Sequence, residues 1–539
     1  MRYMRYTPGL WILFATVFLL SSSYPALSAA EAEIPDATQG VPSSGPKPST
    51  VSVPTDERFN FADGLYSRNM YDMAATEYEN LIQAHPDHPR TQDAWFRLAE
   101  CLFFLKRYEP AISRYQQFIQ TFPSHKQVET ARLRLGEILD QTGKKDEALR
   151  QFQTLTQSAS PLVQRAAVYY AGKMFYEKQN WGEAEKQFRS LANVEGENPF
   201  AEIANYHLAE IAFRSERYED ATASFQKLAA SEKPTLKQLG LFGLGKTSFH
   251  TKQYDQAAGF FRQASEIQAN PDVSEDAFVN YLNALYESER YADLLESYGK
   301  IPMSQPKRMI SVKLLLANTY LQMKQYPEAL KVFDEILTIP ETTEKDREMA
   351  ELGKLSTLLI QGQAGGALQA FSSMKQERSF FKDRWISLEA EMMKKNGRLQ
   401  EAVKLLDSLI QDFPESPYFK QALLNRGSIF LDLGKNEEAR ADFETFVQKF
   451  SDDPLTPKTL MNIIALDIKL GYWQDGVKDS AVFLEKYPQS PDTEQVLFQL
   501  GSIHLELGDY DKAFQTYERV FNQYPASAKK EEILFSLGY

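Results

Sequence analysis

The sequence predicts an all-α fold, a solenoid of antiparallel helical hairpins, and three observations predict it. The chain of 539 residues repeats itself every 35 to 38 residues from Phe59 to its end, an interval that fits one stacked hairpin per repeat. Within each repeat, small and aromatic residues recur at spacings of three and four, which line one face of a helix. Glycine, polar residues and proline recur at the places where helices must stop and turn.

The register is set by thirteen anchors, Tyr71, Tyr108, Lys145, Trp181, Tyr218, Tyr254, Tyr291, Tyr326, Ala364, Leu399, Asn436, Trp473 and Tyr510. Three places after the anchor comes a small residue, as at Ala74, Ala148, Ala257 and Ala513, with Leu294 and Gly476 as exceptions. Seven places after it there is usually an aromatic, as at Tyr78, Phe152, Phe261 and Tyr517. Nine places before it lies another small residue, as at Ala62, Gly136, Gly245 and Gly501, so the two helices of a hairpin can approach closely. The polar stretch between them, such as Glu506-Leu507-Gly508-Asp509, ends the first helix. Pro86, Pro123, Pro414, Pro488 and Pro525, fifteen places after their anchors, end the second and turn the chain.

The pattern Leu500-Gly501, Tyr510, Ala513, Tyr517 and Pro525, and its counterpart Leu98-Ala99, Tyr108, Ala111, Tyr115 and Pro123, resembles the tetratricopeptide repeat (TPR). The resemblance runs from about Phe59 to Tyr539 and implies a right-handed superhelical α-solenoid. The turns His85-Pro86-Asp87-His88-Pro89, Phe413-Pro414-Glu415-Ser416-Pro417 and Tyr487-Pro488-Gln489-Ser490-Pro491 are similar to those of periplasmic members of that class. Those members are the Tol-Pal-associated cell-division coordinator and the outer-membrane assembly lipoprotein of the barrel-insertion machinery. A lipid-accepting cysteine and N-terminal coiled-coil heptads are not part of this sequence.

Composition bounds the partners. Apolar residues make up 43% and charged residues 25%, close to the globular average. The net charge is −13, and no run of lysines or arginines could follow a phosphate backbone, so nucleic acid is not an expected partner. Arg2 and Arg5 precede an apolar run from Leu10 to Leu20, followed by small residues that allow cleavage after Ser28 or Ala30. This reads as a secretory signal peptide rather than a spanning helix, which needs about 20 apolar residues. After its removal no segment is apolar enough to cross a membrane. The single cysteine, Cys101, cannot form an intrachain disulfide and sits in a helical apolar context, where a buried inert thiol is expected.

These signals divide the chain into a signal peptide (1–30), a Pro- and Ser-rich tether (31–56), an N-terminal stack (57–290), an irregular stretch (291–366) and a C-terminal stack (367–539). In the irregular stretch Leu294 replaces a small residue, and Gly362, Gly365 and Gly366 crowd one hairpin. Either the joint there is loose and two stacks pivot about it, or the glycines only widen one turn. At the C-terminus Leu537-Gly538-Tyr539 matches Leu500-Gly501-Ser502, so a fourteenth hairpin begins and stops.

No catalytic constellation emerges. His85 and His88 form the one close histidine pair, in a proline turn and without a third ligand. Gly243-Leu244-Gly245-Lys246-Thr247-Ser248 matches part of a phosphate loop but lacks the leading glycine spacing and a preceding strand. Acidic pairs such as Asp146-Glu147 and Glu437-Glu438 start second helices, where negative charge suits the helix dipole. No cofactor or metal is expected.

One pattern invites binding. In several first helices, aromatics three before and four after the small position share a face: Phe96 and Phe103, Tyr169 and Tyr176, Tyr206 and Phe213, Phe242 and Phe249. Glu100, Lys173, Glu210 and Lys246 lie beside them. The family resemblance implies that these positions line a concave groove, suited to an extended or helical peptide. The same rings would equally pack between successive first helices, and an aromatic surface would also suit a polysaccharide. The expected function is a non-enzymatic periplasmic scaffold that organises envelope proteins. Its rivals are a component of exopolysaccharide export and, from another class, a solenoid peptidoglycan hydrolase.

Overall fold

A computed structural model describes residues 55–194, 198–300, 304–374, 380–525 and 527–538. The signal peptide and nearly all of the tether lie outside the described residues. Among those described there are 27 helices and no strand.

The helices come in hairpins: α1 (Thr55–Ser67) with α2 (Tyr71–Ala84), α3 (Thr91–Phe104) with α4 (Tyr108–Thr121), and α5 (Val128–Gln141) with α6 (Lys145–Leu155). Next come α7 (Pro161–Glu177) with α8 (Trp181–Ala192), α9 (Ala201–Arg214) with α10 (Tyr218–Ala229), and α11 (Pro234–His250) with α12 (Tyr254–Glu266). They continue as α13 (Pro271–Glu287) with α14 (Tyr291–Ser297), α15 (Pro306–Gln322) with α16 (Tyr326–Thr338), and α17 (Glu344–Ile360) with α18 (Ala364–Ser372). The last are α19 (Lys382–Lys395) with α20 (Leu399–Asp412), α21 (Phe419–Asp432) with α22 (Asn436–Lys449), α23 (Thr456–Leu470) with α24 (Trp473–Lys486), and α25 (Thr493–Glu506) with α26 (Tyr510–Gln523), followed by α27 (Lys530–Gly538). Each of the thirteen anchors is the first residue of a second helix. The chain forms two compact units that divide at Leu315 and Leu316. In both, each helix packs chiefly on its neighbours in sequence, as expected of a repeat array.

The turn inside each hairpin is the same device thirteen times. The residue two before the anchor is left-handed: glycine at 143, 362, 397, 434, 471 and 508, but Asn69, Lys106, Gln179, Glu216, Lys252, Glu289 and Lys324 elsewhere. The next N–H reaches back to a carbonyl five residues earlier, as from Arg107 to Leu102 or Lys144 to Leu139. This is the closure that satisfies otherwise orphaned carbonyls at a helix end. The glycine expected there is thus present in six turns and replaced in seven.

The small and aromatic positions meet across the hairpin, sixteen residues apart. A Cβ added to Gly136, Gly245 or Gly427 would come within 2.6 Å of the ring of Phe152, Phe261 or Phe443, so the missing side chain is the space the ring fills. The same ring then touches the next first helix. Phe225 fills the space beside Gly243 and Phe333 that beside Gly353, while Tyr170 stacks on Phe152 and His207 on Phe188. One aromatic therefore joins three helices, which makes each repeat depend on its neighbour.

A second recurring contact ties the turn between hairpins to the preceding first helix. The Ser158 hydroxyl accepts the Ser160 N–H at 3.0 Å and donates to Glu129 at 2.7 Å. Ser231, Ser416 and Ser527 do the same with Glu202, Asp383 and Glu494. His125 takes this place in its turn: Nδ1 accepts the Gln127 N–H at 3.2 Å and Nε2 lies 3.3 Å from Asp93. His88 likewise accepts the Arg90 N–H and faces Asp56. The neutral His125 imidazole thus carries its proton on Nε2, and burial lowers its pKa. His125→Leu, which keeps bulk against Phe118 but loses both bonds, is expected to cost about 1–2 kcal/mol. His125→Asn, which restores an acceptor, should cost less; chemical denaturation followed by circular dichroism compares the two.

In the irregular stretch, α14 and α18 have 7 and 9 residues. Leu294 is buried in the place where other repeats carry alanine, and Gly365 and Gly366 lie in the first turn of α18, with nothing closer than 3.8 Å to a Cβ at either. Beside α14, Arg308 enters a pocket of three carboxylates, 3.0 Å from Asp272, 3.0 Å from Glu275 and 2.7 Å from Asp276, which ties α13 directly to α15.

Candidate functional site: the first-helix face and hairpin edge

The twelve candidate residues lie on α3, α7, α9 and α11, all in the first unit. Nine are buried: Phe96, Glu100, Tyr169, Tyr206, Glu210, Phe213, Phe242, Lys246 and Phe249. Phe103, Lys173 and Tyr176 are half-buried. The expected stripe of open rings is therefore not presented at most positions, for a local reason. The rings three before the small residue turn toward their own second helix: Phe96 packs on Tyr115 and Phe118, Tyr169 on Phe188, and Phe242 on Phe261.

The charged members are drawn together between successive first helices. Lys246 donates to Glu210 at 2.6 Å, with both side chains at most 6% exposed, and its ammonium stands 4.9 Å from the centre of the Phe213 ring. Glu100 accepts from the Tyr115 hydroxyl and lies 3.6 Å from Arg134, which also pairs with Glu137. Burial, with the Glu100 carboxylate beside it, keeps the Tyr115 hydroxyl protonated. Where the aromatic of the second helix is tyrosine, the residue after the small position supplies a polar partner: Asp63 for Tyr78, Glu100 for Tyr115, Ser502 for Tyr517. These charges first of all hold the stack together.

What remains accessible is an edge near the hairpin turns that sequence reading did not single out. In five hairpins the ring four after the small position meets the anchor ring edge to face, five residues on, whereas Phe103 lies against Phe104 instead. Tyr66 meets Tyr71 at 5.6 Å, Tyr176 meets Trp181 at 5.2 Å, Phe213 meets Tyr218 at 5.8 Å, Phe249 meets Tyr254 at 5.0 Å and Tyr286 meets Tyr291 at 5.6 Å. The anchor rings are half-buried. Between one pair and the next, the following first helix inserts a side chain. Phe104 stacks on Tyr71, Arg214 stands 5.9 Å from the Trp181 centroid and donates to the Tyr176 hydroxyl at 3.2 Å, and His250 stacks on Tyr218. The constant spacing of five was the available signal. It crosses the turn, so no helical period reveals it.

The remaining motifs have structural uses. Burial pushes the Cys101 thiol up to about 12, far from a nucleophile's range. His207 is enclosed by Tyr169, Tyr176, Phe188 and Tyr206, and burial lowers its pKa to about 3, so it is neutral. Gly243 and Gly245 of the phosphate-loop-like segment lie within α11 and receive Phe225 and Phe261. Among the described residues no three histidine, cysteine or acidic side chains are placed to hold a metal, and no helix is long and apolar enough to cross a membrane.

Family models of the tetratricopeptide repeat match residues 93–125 and 495–527, and 133–196, 175–237, 206–272 and 394–454. No curated protein matches the chain. A solved structure, the crystal structure of the APC/C hetero-tetramer Cut9–Hcn1, aligns over 89% of this chain and 96% of that one, at 14% identity and a TM-score of 0.29. The recurrent hairpin geometry and the matched segments lead to one statement: the chain carries tandem tetratricopeptide repeats and folds as an all-α helical-repeat solenoid.

Proposed function

We propose that the protein is a non-enzymatic scaffold of the bacterial periplasm that binds an extended protein segment along the hairpin edge of its first unit. Tetratricopeptide repeats mediate protein–protein interaction, and the observation that carries the finer reading is the half-buried pair Tyr176 and Trp181 with Arg214 set against both rings. Rings and a planar cation suit apolar and acidic side chains of a peptide, and such residues dominate binding energy in other interfaces. The export expectation rests on the N-terminal sequence. An envelope complex, of the outer-membrane assembly or cell-division kind, is the setting that reading supplies.

The test is affinity capture from cross-linked envelopes with the full-length chain and a triple variant, Tyr176→Ala, Trp181→Ala and Arg214→Ala. These side chains are not fully buried, so helical content should be retained. Loss of one specific protein partner by the folded variant is the expected result. Retention of every protein partner would overturn the site. Loss of a bound polymer with no change in proteins would instead favour a role in exopolysaccharide export, because half-open rings also stack on sugar faces.

A further inference from the structure

The α23–α24 hairpin departs from all the others in the identity of its buried groups. Asp467 on α23 is fully buried, one turn after the place where most other first helices carry glycine or alanine. Its Oδ1 accepts from Arg440 Nε at 2.5 Å, while its Oδ2 is buried without a hydrogen-bond partner. An unpaired buried carboxylate oxygen is costly. It is also close to other negative charge, because Arg440 stands 2.8 Å from Glu444, 3.5 Å from Asp475 and 3.9 Å from Asp479. One guanidinium therefore serves four carboxylates, and Asp467 and Asp479 meet on it from the two helices of the hairpin.

We propose that Asp467 and Asp479 share one proton across this hairpin, so that the contact between α23 and α24 tightens in mild acid. The proton comes from solvent and settles on the orphaned Oδ2 of Asp467, which then donates to the Asp479 carboxylate. No other bond changes. One negative charge is removed from a group of four, and the orphaned oxygen acquires its partner.

The surroundings support this from every side. From α22 come Arg440 and Glu444; from α24 come Asp475, Lys478 and Asp479; α25 carries Glu494, Glu506 and the buried His504, which is paired with Asp509 at 3.8 Å. Burial, with Asp479 and Asp475 beside it, pushes the Asp467 carboxyl up to about 6 from an ordinary 3.8 despite Arg440, and Asp479 is raised as well. A carboxyl raised in the folded state favours folding at low pH. Its contribution is complete below 3.8 and is lost as pH rises through about 6.

The experiment is hydrogen exchange of the full chain, followed by mass spectrometry over residues 456–486 and corrected for intrinsic exchange. The wild-type hairpin should open about fourfold less often at pH 5.5 than at pH 7.5, which is the ratio a shift of this size produces. Asp467→Asn should abolish that difference. Asp479→Asn, which leaves the Arg440–Asp467 pair intact, keeps the test available if the first variant disturbs the fold, and should shrink the difference. His504→Gln should preserve it. A pH difference that persists in Asp467→Asn, that is undiminished in Asp479→Asn, or that vanishes in His504→Gln would overturn the proposal.

Discussion

Placing isoleucine at Gly427 is expected to destabilise the α21–α22 hairpin by about 3 kcal/mol or more, because its Cβ would stand 2.6 Å from the buried Phe443 ring. Phe443→Ser alone should cost about 3–5 kcal/mol through the cavity it leaves. The two together should cost clearly less than their sum, since the branched side chain then occupies the space the ring gives up. The chain already contains this arrangement: in the α23–α24 hairpin, Ile464 and Ser480 hold the equivalent places and both are buried. Local opening energies from hydrogen exchange over residues 419–449 measure all three variants. Additive losses would show that the ring and the glycine do not form one packing unit.

Lys246→Met should produce a loss of comparable size, about 3–5 kcal/mol, because it leaves Glu210 charged and buried without its nearest cation. Glu210→Leu combined with Lys246→Met should recover most of it, as apolar replacements of similar volume do at buried ion pairs. Thermal and denaturant unfolding of the single and double variants decides the matter. If the double variant is as unstable as Lys246→Met, the pair does more than neutralise itself. The result bears on function as well, since a Lys246 needed to pair with Glu210 is not available to a ligand.

The repeat was legible because its signals are local: a small residue, an anchor and a ring at constant separations in one chain. Every anchor from Tyr71 to Tyr510 begins a helix. Which side of the first helix stays open was not legible, because it depends on what the next hairpin brings up against it. Phe96 and Tyr169 share a face with Phe103 and Tyr176 by helical period, yet their rings point to different neighbours. The first two meet the second helix of their own repeat; Phe103 instead lies against Phe104 and the Arg134 guanidinium, and Tyr176 meets Trp181 across the turn. The histidine turn was a similar case. Only the positions of Asp93 and the Gln127 N–H reveal that His125 does the work of a serine.

The seven left-handed turn residues other than glycine, all between Asn69 and Lys324, have an energetic consequence. Each holds a conformation that costs an ordinary side chain about 1 kcal/mol, whereas the turns from Gly362 onward are free of that cost. The hairpins up to Lys324 bear that cost at every tip except Gly143. Those tips are accordingly positions where glycine would relieve a cost the other side chains bear beside the aromatic edge.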